Sequence, residues 1–250
     1  MRLRGVLEIL DRMAPFDTAE EWDNSGIMVG DRDKEIHRVL VSLDPGLDTI
    51  AHAREMGHDL IITHHPLFFH PIRHLDLADG VSKKACMLIC SDIALVSMHT
   101  NLDKAPGGVA DCLAGFVHLR GIKTHGMLRS GHVEGARSLE KWAGSLGFPH
   151  ARLADAHRRV DHVAVCPGSG MDLWSKALDL GCDTYITGDV KYHDAIDASE
   201  AGLNIVDPGH FGTEQIAIGP LAQRLTTLLD GMDVDVFRGK DVFNWIDKKE

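Results

Sequence analysis

In the stretch DLIITHHPLFF, residues 59–69, an apolar run ends on two adjacent histidines and is stopped by a proline. Imidazole is a common metal ligand and the side chain whose ordinary pKa lies nearest neutrality, so His64 and His65 point to metal binding or proton transfer. Two further loops carry the same chemistry at one spacing: His99 and Asp103 stand four apart in HTNLD, and His210 and Glu214 four apart in HFGTE. Neutral imidazole with carboxylate suits Zn, Mn, Fe or Ni. Cysteine is absent from these loops, which argues against a closed structural zinc site. A single histidine at a strand end is more often a hydrogen-bonded structural residue; two together, with two more His/acid loops, shift the balance to metal. Adjacent side chains on extended backbone diverge, so His64 and His65 suit two ions better than one. A carboxylate such as Glu214 can bridge such a pair and leave a water between the ions. His52, His58, His118, His150 and His157 lack this context and read as ordinary surface residues.

The elements that must position these loops show up as an internal repeat. Residues 39–63, VLVSLDPGLDTIAHAREMGHDLIIT, align without a gap to residues 163–187, VAVCPGSGMDLWSKALDLGCDTYIT, with nine of 25 positions identical. Each copy reads as a short β-branched strand, a glycine-containing turn, an aspartate suited to capping, a helix of about ten residues and a second strand. Gly57 and Gly181 fall where a helix-terminating glycine belongs. A strand–helix–strand unit implies a parallel pair with a right-handed crossover. Each copy continues into a further helix and strand: VSKKACMLICSD into IALVSMHT, and HDAIDASEAG into LNIVDPGH. The expected fold is therefore α/β: two related lobes, residues 1–125 and 126–250, with mixed, mostly parallel sheets flanked by helices. The lobes form a single intertwined unit without an insertion domain, with the metal site between them. Residues 126–148 read as a glycine-marked turn and one more helix, and PLAQRLTTLLDGMDVDVF as a closing helix and strand. Ligands of open α/β sheets collect at the C-terminal strand ends, where His64, His65, His99, Asn101, Asp103, Asp189, Tyr192, His193, His210 and Glu214 all fall.

The chain has 250 residues, 44% hydrophobic and 25% charged, an ordinary composition for a soluble protein. Its net charge of −11 disfavours nucleic-acid backbones and anionic lipid as partners. No segment approaches the roughly 20 apolar residues of a membrane span. MRLRGVLEILDRM reads as an amphipathic helix with Val6, Leu7, Leu10 and Met13 on one face, not as a signal peptide. Five scattered cysteines fit a reducing cytosol.

Taken together, WDNSG (22–26), THHPLFF (63–69), HTNLDKAPGGVAD (99–111), YITGDVKYHDAIDASEAG (185–202) and GHFGTE (209–214) resemble a known group. It is the dinuclear-metal, ring-forming family usually labelled "GTP cyclohydrolase 1 type 2 homolog" or NGG-interacting-factor-three-like protein, in its short bacterial form. The resemblance implies two divalent ions per chain (Zn, Fe, Mn or Ni), bound by His64, His65, Asp103, His210 and Glu214. His65 and Asp103 would hold one ion, His64 and His210 the other, with Glu214 bridging. It also implies a cytoplasmic toroidal homohexamer, a trimer of dimers. Two positions depart from the family pattern: the proline in SLDPG and Asp189, where a glutamate is commoner. His99 and His193 are the candidates for general acid/base work, or else for hydrogen-bond support. Asp23 and Asn24 are candidates to line the pocket, and Asp44 is a strand-end acid near it. The leading expectation is a metal-dependent hydrolase acting on a small phosphoester or cyclic amidine through a metal-activated water. The alternative is a non-catalytic hexameric metal store or sensor.

Overall fold

The computed structural model describes residues 1–244, and the last six residues of the expected second lobe lie outside them. The strands in chain order are β1 (Gly26–Val29), β2 (Arg38–Ser42), β3 (Leu60–Thr63), β4 (Ala94–Ser97), β5 (Arg120–His125), β6 (Leu128–Arg137), β7 (Arg152–Ala154), β8 (Val160–Val165), β9 (Thr184–Ile186), β10 (Asn204–Asp207) and β11 (Asp233–Val236). They form two sheets, ordered β1-β4-β3-β2-β11 and β5-β6-β8-β9-β10-β7.

The chain divides into two compact units: Met1–Gly108 with Ile218–Gly239, and Val109–Ala217 with residues 240–244. The division therefore falls not near residue 125 but at 108/109 and again at 217/218. The cause is β11, which pairs in parallel with β2 and returns the C-terminal helix Ile218–Leu228 and its strand to the first unit. In that unit β2, β3 and β4 run parallel and β1 closes the far edge antiparallel to β4. Leu60, Ile61 and Ile62 are fully buried, as expected of a strand covered on both faces. Each such side chain contributes about 1.5–3 kcal/mol through burial. Helix Leu3–Met13 buries Val6, Leu7, Leu10 and Met13, the face its sequence pattern predicts.

The second unit repeats the parallel core. Val39 pairs with Leu60 and Val41 with Ile62; 124 residues on, Val163 pairs with Thr184 and Val165 with Ile186, in the same register. Gly57 (φ 71°) and Gly181 (φ 79°) both end their helices in the left-handed region. Asp59 accepts from the backbone N–H groups of His37 and Arg38, and Asp183 from those of Asp161 and His162, so each copy ties the start of its first strand to its second. Asp48 sits in the first turn of helix Leu47–Met56, whose N-cap is Gly46.

The hairpin β5–β6 departs from the sequence reading of residues 126–148. Gly126 (φ 74°) and Met127 form a two-residue turn, and only the short helix Leu139–Ala143 follows the long strand. Gly131 and Gly135 weaken the strand signal in the sequence. At Gly131 a Cβ would stand 2.9 Å from the Arg120 carbonyl oxygen, so the missing side chain is what lets β5 approach. His58 also departs from its expected surface position: it is buried, with Nε2 2.9 Å from Asp235 Oδ2. Among the described residues no helix is long and apolar enough to cross a membrane.

Candidate metal centre

In the first unit the site is built on the C-terminal ends of β3 and β4. The ladder continues past β3, with His64 N–H donating to Ser42 and His65 N–H to Leu43, and Pro66 ends it. Ser97 Oγ donates to the His64 carbonyl and Thr63 Oγ1 to that of His65, which fixes this backbone. The chain bends at His64 and His65 instead of staying extended. Their rings consequently do not splay apart: the centroids lie 5.1 Å from each other. His99, one residue before helix Thr100–Lys104, brings its ring to 5.2 Å from His64 and 5.7 Å from His65. These three histidines each offer a ligand atom, all within 4.8 Å of one another, a spacing that could hold a metal ion. Asp103, nearly buried, places Oδ1 3.6 Å from His64 Nε2.

The tautomers follow from the partners. His64 Nδ1 lies 2.9 Å from the Met98 carbonyl, His65 Nδ1 2.7 Å from Asp44 Oδ1, and His99 Nδ1 2.7 Å from Asp23 Oδ1. A carbonyl or carboxylate oxygen only accepts, so each neutral ring carries its proton on Nδ1 and keeps a lone pair on Nε2. That arrangement, an Nδ1–H anchored on an oxygen behind the ring, is the one that orients metal-binding imidazoles.

Asp23 is the most heavily used of these anchors. It also accepts from Ser25 Oγ, from Thr100 N–H and from Thr100 Oγ1. Burial alone would raise its pKa, but the bonds from His99 and Thr100 and the attraction of His99 hold the carboxyl well below the usual range. His99 is shifted down, first by burial and then by the neighbouring His64 and His65, against the pull of Asp23. Asn101 turns out to be structural, donating to the Ala14 carbonyl and lying with Oδ1 3.0 Å from Ser25 Oγ. Beside His99 opens a pocket of about 360 Å³ lined by Asp23, Asn24, Phe68, Phe69, His70, Pro71 and Ile72. The rings of Phe69 and Trp22 meet His99 edge-on.

In the second unit the site residues sit past β10 and β9. Gly209 (φ 83°) turns the chain into helix His210–Glu214, where the spacing of four sets His210 Nε2 3.1 Å from the buried Glu214 Oε2. His210 Nδ1 is 2.7 Å from Asp189 Oδ2, so this imidazole is anchored as the other three are. Beneath Glu214 runs the loop after β8, held by Gly168 N–H donating to Thr213 Oγ1 and by Thr187 Oγ1 donating to the Gly168 carbonyl. Sequence reasoning missed this loop, although the repeat pairs Gly168 with Asp44. His193 and Tyr192 are exposed at the start of helix Tyr192–Glu200, their rings 5.4 Å apart.

A sequence model of the Duf34/NIF3 (NGG1p interacting factor 3) family matches residues 1–241. The chain belongs to the Duf34/NIF3 family. A "GTP cyclohydrolase 1 type 2 homolog" from Clostridium perfringens is 34% identical over 98% of this chain and 100% of its own length. A Methanocaldococcus jannaschii protein of the same name is 35% identical over 92% of this chain and 97% of its own. Among solved structures, a Staphylococcus aureus hypothetical protein is similar over 98% of this chain and 99% of its own, with TM-score 0.92 and 29% identity. The Duf34/NIF3 chain thus presents in each unit a histidine–carboxylate group at its parallel strand ends, fit by donor type for a divalent transition metal.

Proposed function

We propose that this chain is a dinuclear metal-binding protein and a metal-dependent hydrolase, with His64, His65, Asp103, His210 and Glu214 as ligands of two divalent ions. The observation that carries the reading is the anchoring of His64, His65 and His99 through Nδ1, with their ligand atoms within 4.8 Å of one another. His64 and His65 come from a bend that Ser97 and Thr63 hold in place, so the donors are arranged in advance. When bound, such a pair of ions supplies a water of lowered pKa and positive charge for a developing oxyanion. His99 is the residue placed to hold or move a proton, because Asp23 fixes its tautomer and burial shifts its pKa down. The pocket beside it, walled by Phe68, Phe69 and Ile72, suits a small substrate with an apolar part. The substrate class is a phosphoester or a cyclic amidine. Family membership supports a cytoplasmic homohexamer, which light scattering on the purified chain tests.

The test is elemental analysis of protein purified without a metal-affinity tag, beside the His65→Ala/Glu214→Ala double variant. About two transition-metal ions per chain are expected, and the variant loses them. Turnover on phosphoester and cyclic-amidine panels then follows the metal. Full metal content with no turnover on either panel favours the store or sensor instead. Negligible metal after reconstitution overturns both readings.

A further inference from the structure

The repeat places one position at the same point of each copy, directly after the first strand of its parallel pair: Asp44 in the first unit and Gly168 in the second. The two have opposite chemistry. Asp44 puts a carboxylate behind His65. Gly168 puts nothing, and the space is filled: a Cβ there would overlap Glu214 Oε1 and stand 3.3 Å from both Glu214 Cδ and His210 Nε2. Gly168 also lies in the left-handed region, at φ 61°.

The loop around it is fixed by its neighbours. Tyr185 Oη donates to the Gly170 carbonyl at 2.6 Å and Thr187 Oγ1 to the Gly168 carbonyl at 3.1 Å. The Gly170 N–H donates to Thr187 Oγ1 at 2.9 Å, and the Gly168 N–H to Thr213 Oγ1, also at 2.9 Å. Tyr185, Thr187 and Thr213 are all fully buried. Thr213 is the residue immediately before Glu214, so the bond from Gly168 ties the loop to the turn that carries the acid.

We infer that Gly168 is a positioning residue for Glu214: the missing side chain forms the floor on which the carboxylate is oriented toward His210, and the hydrogen bonds to Thr213 and Thr187 hold that floor at its height. The inference rests on the metal-binding reading and adds to it which part of the chain sets the direction of the acid. The repeat explains why the two positions diverged. Asp103 is one methylene shorter than Glu214, and the Asp44 that shares its unit supports His65. The longer acid of the second unit takes up the room that a side chain at 168 would fill.

The experiment titrates Zn²⁺ alone into the metal-free full chain and compares four variants with the parent. Gly168→Ala weakens Zn²⁺ binding at least about tenfold, the scale on which groups supporting a ligand act. Gly181→Ala is the control for strain: its φ is 79° but nothing lies within 4 Å of the added Cβ, so it lowers thermal stability and leaves Zn²⁺ binding unchanged. Gly168→Ala/Glu214→Asp withdraws the acid by one methylene and recovers a measurable part of the lost binding, which backbone strain alone does not predict. Thr213→Val leaves the φ of Gly168 untouched and keeps the test open where Gly168→Ala does not fold; it also weakens Zn²⁺ binding. Parental binding in Gly168→Ala, or in Thr213→Val where that is the folded variant, overturns the inference. So does a Gly181→Ala variant that loses Zn²⁺ as Gly168→Ala does. Absence of binding in the parent chain overturns the metal-binding reading itself, which separates the two failures.

Discussion

Asp23→Asn removes a charge without changing a shape, and the structure allows its cost to be worked out. The Asp23 side chain is fully buried and accepts five bonds from other residues: His99 Nδ1–H at 2.7 Å, Asn24 N–H at 2.6 Å, Ser25 Oγ at 3.0 Å, Thr100 N–H at 3.0 Å and Thr100 Oγ1 at 2.6 Å. An asparagine has one accepting oxygen where the carboxylate has two, so its NH₂ must face either the His99 donor or the Thr100 donors. At least one buried donor is orphaned, at about 1–3 kcal/mol, and the surviving bonds lose the charge assistance that makes such bonds worth about 1.5–3 kcal/mol each. A loss of about 3 kcal/mol is the expectation, or roughly 6–12 °C in Tm for a chain of this size. Asp44→Asn is the matched control, because it also anchors an imidazole at 2.7 Å but its side chain is 56% exposed. Solvent screening holds that loss below about 1 kcal/mol. The assay is thermal unfolding of both metal-free variants followed by circular dichroism at neutral pH. Equal shifts in the two variants would refute the reasoning, since Asp23 is both more deeply buried and more heavily hydrogen-bonded than Asp44.

Two further outcomes follow from the same contacts. Asp189→Asn should weaken binding of Zn²⁺ by about 10–100-fold by loosening His210, while moving the Tm of the metal-free chain little, as measured by titration and melting of one preparation. Asp235 is held below the ordinary carboxylate pKa chiefly by the bond from His58, against the opposing effect of burial and with further help from Arg38. A depressed carboxylate stabilises above its unfolded value and stops doing so as pH falls through its folded one. The Tm advantage of the parent over Asp235→Asn should therefore be full at neutral pH and shrink as pH drops below about 4. A gap that stays constant down to acid pH contradicts that assignment.

The parallel cores were legible because a repeat doubles the signal: one strand–helix–strand pattern is weak, but two with matched glycines and aspartates fix strand, turn and register together. The ligand candidates were legible for a related reason, since parallel strand ends gather polar residues at one edge. The anchors were harder to read. Asp23 reaches His99 across 76 positions, and no local pattern joins them. Gly168 carries no chemistry of its own, and its role becomes visible only in the carboxylate that fills its place. The β5–β6 hairpin was hidden by its glycines, and the burial of His58 by a partner, Asp235, 177 positions away. What sequence conveys poorly here is contact between distant segments.

The return of β11 to the first sheet sets an order of assembly on the ribosome. The outer edge of β2 is complete when Ser42 has emerged, yet the strand that covers it ends at Val236, about 190 residues and on the order of 10–40 s of synthesis later. The last strand of the second sheet has already emerged at Asp207, so that sheet is complete first although it begins second. Until then β2 offers an open, apolar, strand-ready edge of the kind that invites pairing with other nascent chains. The partners that receive β11, His58 and Arg38 for Asp235, are already in place when it arrives, and they tie down the strand that ends this exposure.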